Sequence, residues 1–269
     1  MLEQKEQALL RTLAEMGRVA VAFSGGVDSS LLLAASVEAL GSEHVIALTA
    51  DSPLLPRQEF ATAEQVAAQL GARLVVIPFD ELAIAGVQAN GPLRCYHCKR
   101  ARFEALQVQA ERLVAGAVLV HGENADDASA YRPGSRAAAE LGIRAPLAEA
   151  GLTKAEIREL SRRRGLPTWD HPAASCLATR VPTGTPLSAE ALERIERAET
   201  ALQALLDERH LRVRDHYPLA RIELPPERIA TVACAPLRDE VVAALQALGY
   251  RYVSLDLQGY RMGSMNANA

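Results

Sequence analysis

Two hydrophobic periods organise the chain. Residues 2–16 carry Leu2, Leu9, Leu10, Leu13 and Met16 at helical spacing, and Gly17 stops the run. Residues 18–23 then read as a short buried strand, and residues 31–40 as a helix ending near Gly41. Residues 44–50, 73–78 and 117–121 read as three further strands, separated by helices over 56–70 and 96–114, with residues 80–94 irregular. Strands alternating with helices imply a largely parallel sheet covered on both faces. The predicted fold class is therefore α/β, a parallel twisted sheet flanked by helices. Such sheets bind ligands beyond the carboxyl ends of their strands. That rim holds residues 24–30, Asp51-Ser52 and residues 122–127.

Beyond the rim, Tyr131-Arg132-Pro133-Gly134 reads as a turn, and Thr153-Lys154-Ala155-Glu156 as a capping box opening a helix through Arg164. Residues 167–186 are rich in Pro, Thr and Ser, a length of irregular chain that points to function. From Ser188 the pattern changes: a helix over 188–208, an alternating strand over 212–224, a helix over about 226–247 and a strand over 250–257. The expected organisation is a domain over 1–185 and a small α+β domain over 186–269, with residues 263–269 frayed.

Composition narrows the function classes. Of 269 residues, 49% are apolar, enough for a core, and 23% are charged. The net charge of −4 argues against a broad basic face, so no nucleic-acid partner is expected. No apolar run approaches about 18 residues, so no membrane span is expected. The N-terminal segment lacks the apolar region of a secretory signal, and four cysteines make no disulfide framework, so a cytoplasmic location is expected. Of 29 basic residues 26 are Arg, which draws attention to Lys99 and Lys154; Lys5 reads as drift.

Ser24-Gly25-Gly26-Val27-Asp28-Ser29-Ser30 is the strongest local signal. A strand ends, two glycines permit a turn that a Cβ would obstruct, and a helix begins with its N–H groups open to phosphate. It is too short for a Walker loop and lacks its lysine. Gly122-Glu123-Asn124-Ala125-Asp126-Asp127 clusters carboxylates suited to Mg²⁺. Lys154, at a helix start, suits charge stabilisation of an anionic group at that rim. Cys95-Tyr96-His97-Cys98 is a CxxC, and Cys176 stands in the irregular stretch. Three thiols suit an iron–sulfur cluster with one open iron, or a zinc site completed by His97 or His171. Cys234 reads as an inert packed thiol. Arg212 and Arg214 alternate along a strand, so both guanidiniums share a face that suits an anion, with Glu223 as an available partner.

The loop resembles the SGGxDS pyrophosphate loop of the PP-loop ATP pyrophosphatases, in which the segment matching Asp51-Ser52 lies near the adenosine. Together with Tyr131-Arg132-Pro133-Gly134, Ala174-Ser175-Cys176 followed by Arg180, Arg212-Val213-Arg214, and Ala220-Arg221-Ile222-Glu223-Leu224-Pro225, the chain resembles the LarE family of ATP-dependent sulfur transferases over nearly its whole length. That resemblance implies adenylation of pyridinium-3,5-biscarboxylic acid mononucleotide and thiolation of its carboxylates, for the nickel-pincer cofactor of lactate racemase. It implies ATP and Mg²⁺ at the loop, Lys99 or Lys154 at the transition state, Arg212 and Arg214 on the substrate phosphate, and Arg180 near the reacting end. Members with only the position of Cys176 give up their own sulfur. This chain resembles the three-cysteine members, in which Cys95, Cys98 and Cys176 would ligate a [4Fe-4S] cluster that carries sulfide from a donor. A homo-oligomer, up to a hexamer, is also implied. The competing readings are a tRNA 2-thiolation enzyme, an amide-forming synthetase and a nucleotide sensor with structural zinc. The acidic net charge disfavours the first, and three cysteines have no place in the second.

Overall fold

The structure is a computed structural model and describes residues 1–127, 133–171 and 175–261. The chain divides into two compact units. One comprises residues 1–84 and 93–174, the other residues 85–92 and 175–269.

The first unit holds α1 (Leu2–Met16), β1 (Val19–Ala22), α2 (Val27–Leu40), β2 (Val45–Asp51), α3 (Arg57–Gln69) and β3 (Arg73–Pro78). After α4 (Ala85–Gln88), which belongs to the other unit, it resumes with α5 (Arg94–Leu113), β4 (Val118–His121), α6 (Pro133–Glu140), α7 (Pro146–Glu149) and α8 (Lys154–Arg163). The four strands form one parallel sheet in the order β3-β2-β1-β4. Alternate residues feed two cores, as the two-residue period of a strand requires. Val19, Val21 and Ala47 pack with α1, α2 and α8 on one face, while Ala20, Ile46 and Leu48 pack with Phe103 and Leu106 of α5 on the other. Strand order reverses between β1 and β4, and the crevice at such a switch point is where a ligand is accommodated.

Local chemistry sets the element ends. The capping box of α8 is complete: Thr153 Oγ1 accepts from the Glu156 N–H at 3.4 Å, and Glu156 Oε2 accepts from the Thr153 N–H at 2.9 Å. Lys5, read as drift, instead pairs with Glu156 at 2.7 Å and ties α1 to α8. Helix α5 begins two residues before the predicted start, which puts both cysteines of the CxxC in its first turns. Pro133 and Gly134 open α6 rather than a turn; Tyr131 and Arg132 lie outside the described residues.

In the second unit α9 (Ala189–Leu206) packs on a three-stranded sheet of β5 (Arg212–His216), β6 (Leu219–Glu223) and β7 (Tyr252–Leu255), with α10 (Pro226–Val232) and α11 (Leu237–Gln246) between β6 and β7. The single strand expected over 212–224 is an antiparallel hairpin that turns at Tyr217-Pro218. The helix expected over 226–247 is two helices, interrupted before Pro236, which supplies no backbone N–H. Residues 263–269, expected to be frayed, lie outside the described residues. Among the described residues, no helix is long and apolar enough to cross a membrane.

Candidate active site

Strand β1 delivers the chain into the loop at the switch point. Gly25 has φ +77°, and a Cβ there would lie 2.8 Å from the Glu59 carbonyl oxygen and 2.9 Å from the Ala63 nitrogen, so only glycine lets α3 approach. Ser24 Oγ and Ser29 Oγ stand 3.2 Å apart, and the Gly26 N–H reaches Ser24 Oγ at 3.4 Å. Ser30 is fully buried, its hydroxyl turned to the Gly25 carbonyl at 3.5 Å. Gly122, at the end of β4, completes the cradle: a Cβ there would meet the Ser29 nitrogen at 2.9 Å. The result is a glycine-lined helix N-terminus, the arrangement that accepts phosphate.

A cleft opens on this cradle. Ser24, Gly26, Asp28 and Ser29 line its phosphate end, with Gly122, Glu123 and Asp127 opposite. Leu48, Ala50, Phe103 and Leu106 give it an apolar wall, against which a flat aromatic base can lie. Lys99, Arg102 and His121 supply its nitrogen groups. Burial and the nearby Lys99 ammonium hold His121 down to about 3, so its imidazole is neutral.

Lys154 Nζ stands 2.6 Å from Asp28 Oδ2. Burial raises the Asp28 carboxyl above its ordinary range, against the pull of Lys154. Its other oxygen, Oδ1, is buried with no hydrogen-bond partner. An acceptor oxygen left over beside a phosphate cradle suits Mg²⁺, which Asp28 and Asp127 would hold with help from nucleotide oxygens. Asp126 serves differently: its Oδ2 accepts from the Lys154 N–H at 2.8 Å and fastens α8 to the loop.

Asp51 and Ser52 do not line the cleft. Asp51 pairs with Arg57 at 2.6 Å, and the Ser52 hydroxyl donates to Glu81. Glu81 is fully buried and also receives Arg102. Neither Glu81 nor Arg102 was expected from the sequence, nor was His121. The available signal was Arg102 standing three residues after Lys99 and four after Cys98, on one side of α5.

Cys95 is exposed and Cys98 half-buried in the first unit, while Cys176 is half-buried in the second; none of the four cysteines is in a disulfide. Cys234, expected to be packed, is exposed. Among the described residues, no three Cys, His, Asp or Glu side chains are arranged as a metal site.

The second unit buries a group of arginines. Arg214 pairs with the fully buried Glu223 at 2.5 Å, and Arg221 reaches the same carboxylate at 3.2 Å. Arg212 stands opposite Glu223 in the β5–β6 register, yet its guanidinium donates to the Leu211 carbonyl at 2.7 Å and lies 5.1 Å from the Tyr260 ring centre. Burial, with the positive Arg180 near it, pushes the Arg212 pKa down. Arg180 is bound to both oxygens of Glu199 at 2.9 and 2.8 Å, and to the carbonyls of Ser175 and Cys176 at 2.8 and 3.1 Å. It therefore anchors the Cys176 segment. Residues 172–174 of that segment lie outside the described residues.

Comparison with known proteins agrees with this geometry. The NAD synthase family matches residues 2–111. An uncharacterized protein of Synechocystis is 41% identical across 99% of this chain and 98% of its own length. Pyridinium-3,5-bisthiocarboxylic acid mononucleotide synthase of Lactiplantibacillus plantarum is 37% identical across 98% of this chain and 95% of its own. Argininosuccinate synthase of Natronomonas pharaonis is 32% identical over 58% of this chain. A phosphate cradle between β1 and β4, with full-length identity to a synthase of this type, places the chain in the LarE family of PP-loop, ATP-dependent enzymes.

Proposed function

We propose that this protein converts the carboxylates of pyridinium-3,5-biscarboxylic acid mononucleotide to thiocarboxylates in two chemical stages, for a nickel-pincer nucleotide of the kind used by lactate racemase. In the first, ATP lies on the 24–30 loop and one carboxylate oxygen attacks the α-phosphorus. The bond to pyrophosphate breaks, and an acyl adenylate forms. Lys99 and Lys154 offset the charge that accumulates on the phosphates, and Mg²⁺, which Asp28 and Asp127 would hold, would add to that neutralisation. In the second, hydrosulfide attacks the acyl carbon and AMP departs, leaving a thiocarboxylate and one proton. AMP is a far better leaving group than oxide, which is why ATP is spent.

The observation that carries this reading is the polarity of the cleft: a phosphate cradle, a buried acceptor oxygen on Asp28, whose other oxygen pairs with Lys154, and Lys99 on the lining of one nucleotide-sized space. Arg212, Arg214 and Glu223 are the residues we assign to the substrate phosphate. Arg212 supports this, being a buried guanidinium whose described contacts are a carbonyl and an aromatic ring. The reading includes a cytoplasmic, homo-oligomeric enzyme. The basic run Arg162-Arg163-Arg164, the densest in the chain, is matched by Glu159, Glu3, Glu6 and Glu38, which disfavours a tRNA substrate.

For the sulfur source, Cys95, Cys98 and Cys176 are the residues that would hold a [4Fe-4S] cluster; three soft thiolates are its donor chemistry, and three ligands leave one iron open to sulfide. A second reading draws on the Arg180 guanidinium that holds the Cys176 carbonyl at 3.1 Å: Cys176 surrenders its own sulfur and becomes dehydroalanine. Anaerobic incubation with ATP, the dicarboxylate and sulfide separates them. Repeated turnover that requires Cys95 and Cys98 supports the first. One thiocarboxylate per chain, with loss of H₂S at Cys176, supports the second.

A further inference from the structure

Glu81 is fully buried, and both of its oxygens are engaged: Ser52 Oγ donates to Oε2 and Arg102 Nη2 donates to Oε1. Arg102 follows Cys98 by four residues on α5, so the two side chains are neighbours. Arg102 Nη2 stands 3.8 Å from Cys98 Sγ, and that sulfur lies 4.0 Å from Glu81 Oε1. The same arginine lines the nucleotide cleft beside Lys99. A guanidinium held by a buried carboxylate therefore spans from a thiol to the nucleotide cleft.

A carboxylate that is first adenylated and then thiolated must meet two demands. Its oxygen must reach the α-phosphorus, and its carbon must afterwards be reached by sulfur. We infer that Arg102 is the catalytic residue that receives this carboxylate, and that Glu81 is the positioning residue that aims it; the inference rests on the sulfur-transfer reading above. A planar guanidinium matches a carboxylate as an ammonium cannot. Arg102 makes and breaks no covalent bond: the carboxylate oxygen bonds to the α-phosphorus, and pyrophosphate leaves with its electron pair. Ser52 and the 81–83 turn serve this arrangement by fixing Glu81.

Arg102→Met alone would leave Glu81 buried without its cation, which is costly. The test therefore uses Arg102→Met/Glu81→Gln, with Glu81→Gln and Arg102→Lys beside it. Calorimetric titrations follow AMP, the dicarboxylate mononucleotide and its biscarboxamide analogue. The double variant is expected to weaken binding of the dicarboxylate about 10- to 100-fold more than it weakens binding of AMP or of the biscarboxamide. Arg102→Lys should restore part of that loss and Glu81→Gln should show a smaller one. Equal weakening of dicarboxylate and biscarboxamide, or a parallel loss of AMP affinity, would reduce the pair to structural support and overturn the inference. A wild type that binds AMP but not the dicarboxylate would overturn the sulfur-transfer reading itself.

Discussion

The ammonium of Lys154 stands 2.6 Å from the carboxylate of Asp28, and so links the first turn of α8 to the first turn of α2 across 126 positions of sequence. One contact thus brings a cation to the phosphate cradle from an element late in the first unit. Lys154→Met should lower the rate of pyrophosphate release by about 10²-fold, with a smaller change in KM for ATP. Its stability should also depend on pH. Burial holds the Asp28 pKa above its ordinary value, so the ionised carboxylate weakens the fold at neutral pH and is relieved as pH falls through that raised value. Without Lys154 the penalty grows. Urea midpoints should show the variant further below wild type at pH 7 than at pH 5.

Two adjacent glycines should behave differently. Gly25→Ala places a Cβ against the backbone of α3 at positive φ, so the variant should lose the fold or several kcal/mol of stability. At Gly26 the nearest atom to an added Cβ is Ser24 Oγ at 3.5 Å, an ordinary contact. Gly26→Ala should therefore melt near wild type while ATP affinity falls, because the methyl enters the cradle. Thermal melts with nucleotide titrations check both.

His121 should impose a pH dependence on stability. Its folded value of about 3 lies below its ordinary 6.5, set by burial first and Lys99 second, with Glu149 opposing. Above about pH 6.5 neither folded nor unfolded chain protonates it. Below that the unfolded chain takes up a proton that the folded chain refuses, so stability falls by about 1.4 kcal/mol per pH unit. His121→Gln should remove this slope, which amounts to about 2 kcal/mol between pH 6.5 and 5. Denaturation of both proteins across that range gives the comparison.

The buried arginines of the second unit should separate function from stability. Arg212 is held against its own desolvation, so Arg212→Met should keep or raise the melting temperature while binding of inorganic phosphate weakens. Arg180 and Glu199 are mutual partners, so Glu199→Ala leaves a buried cation and should cost about 3–5 kcal/mol. Melting curves with phosphate titrations distinguish the two positions.

The sheet was legible because each strand is a short apolar run closed by turn chemistry, and the 24–30 loop because two glycines follow such a run. Other features depend on contacts distant in sequence. Ser52 looks like a nucleotide contact beside Asp51, yet its hydroxyl turns to Glu81, a polar residue in a stretch with no period. Arg102 is one of 26 arginines, and its neighbours alone distinguish it. The β5–β6 hairpin was read as one strand because its two-residue turn preserves the alternation on either side. Arg180 was expected near the reacting end, and its pairing with Glu199 and with the backbone that carries Cys176 is a set of contacts that no spacing in the sequence announces.

The most direct measurement is mass spectrometry of the mononucleotide after anaerobic incubation of this protein with ATP, Mg²⁺, pyridinium-3,5-biscarboxylic acid mononucleotide and sulfide. The account predicts replacement of carboxylate oxygen by sulfur, with one AMP and one pyrophosphate formed for each sulfur introduced. Pyrophosphate release that is independent of the dicarboxylate, or a product in which no oxygen has been exchanged, would contradict it.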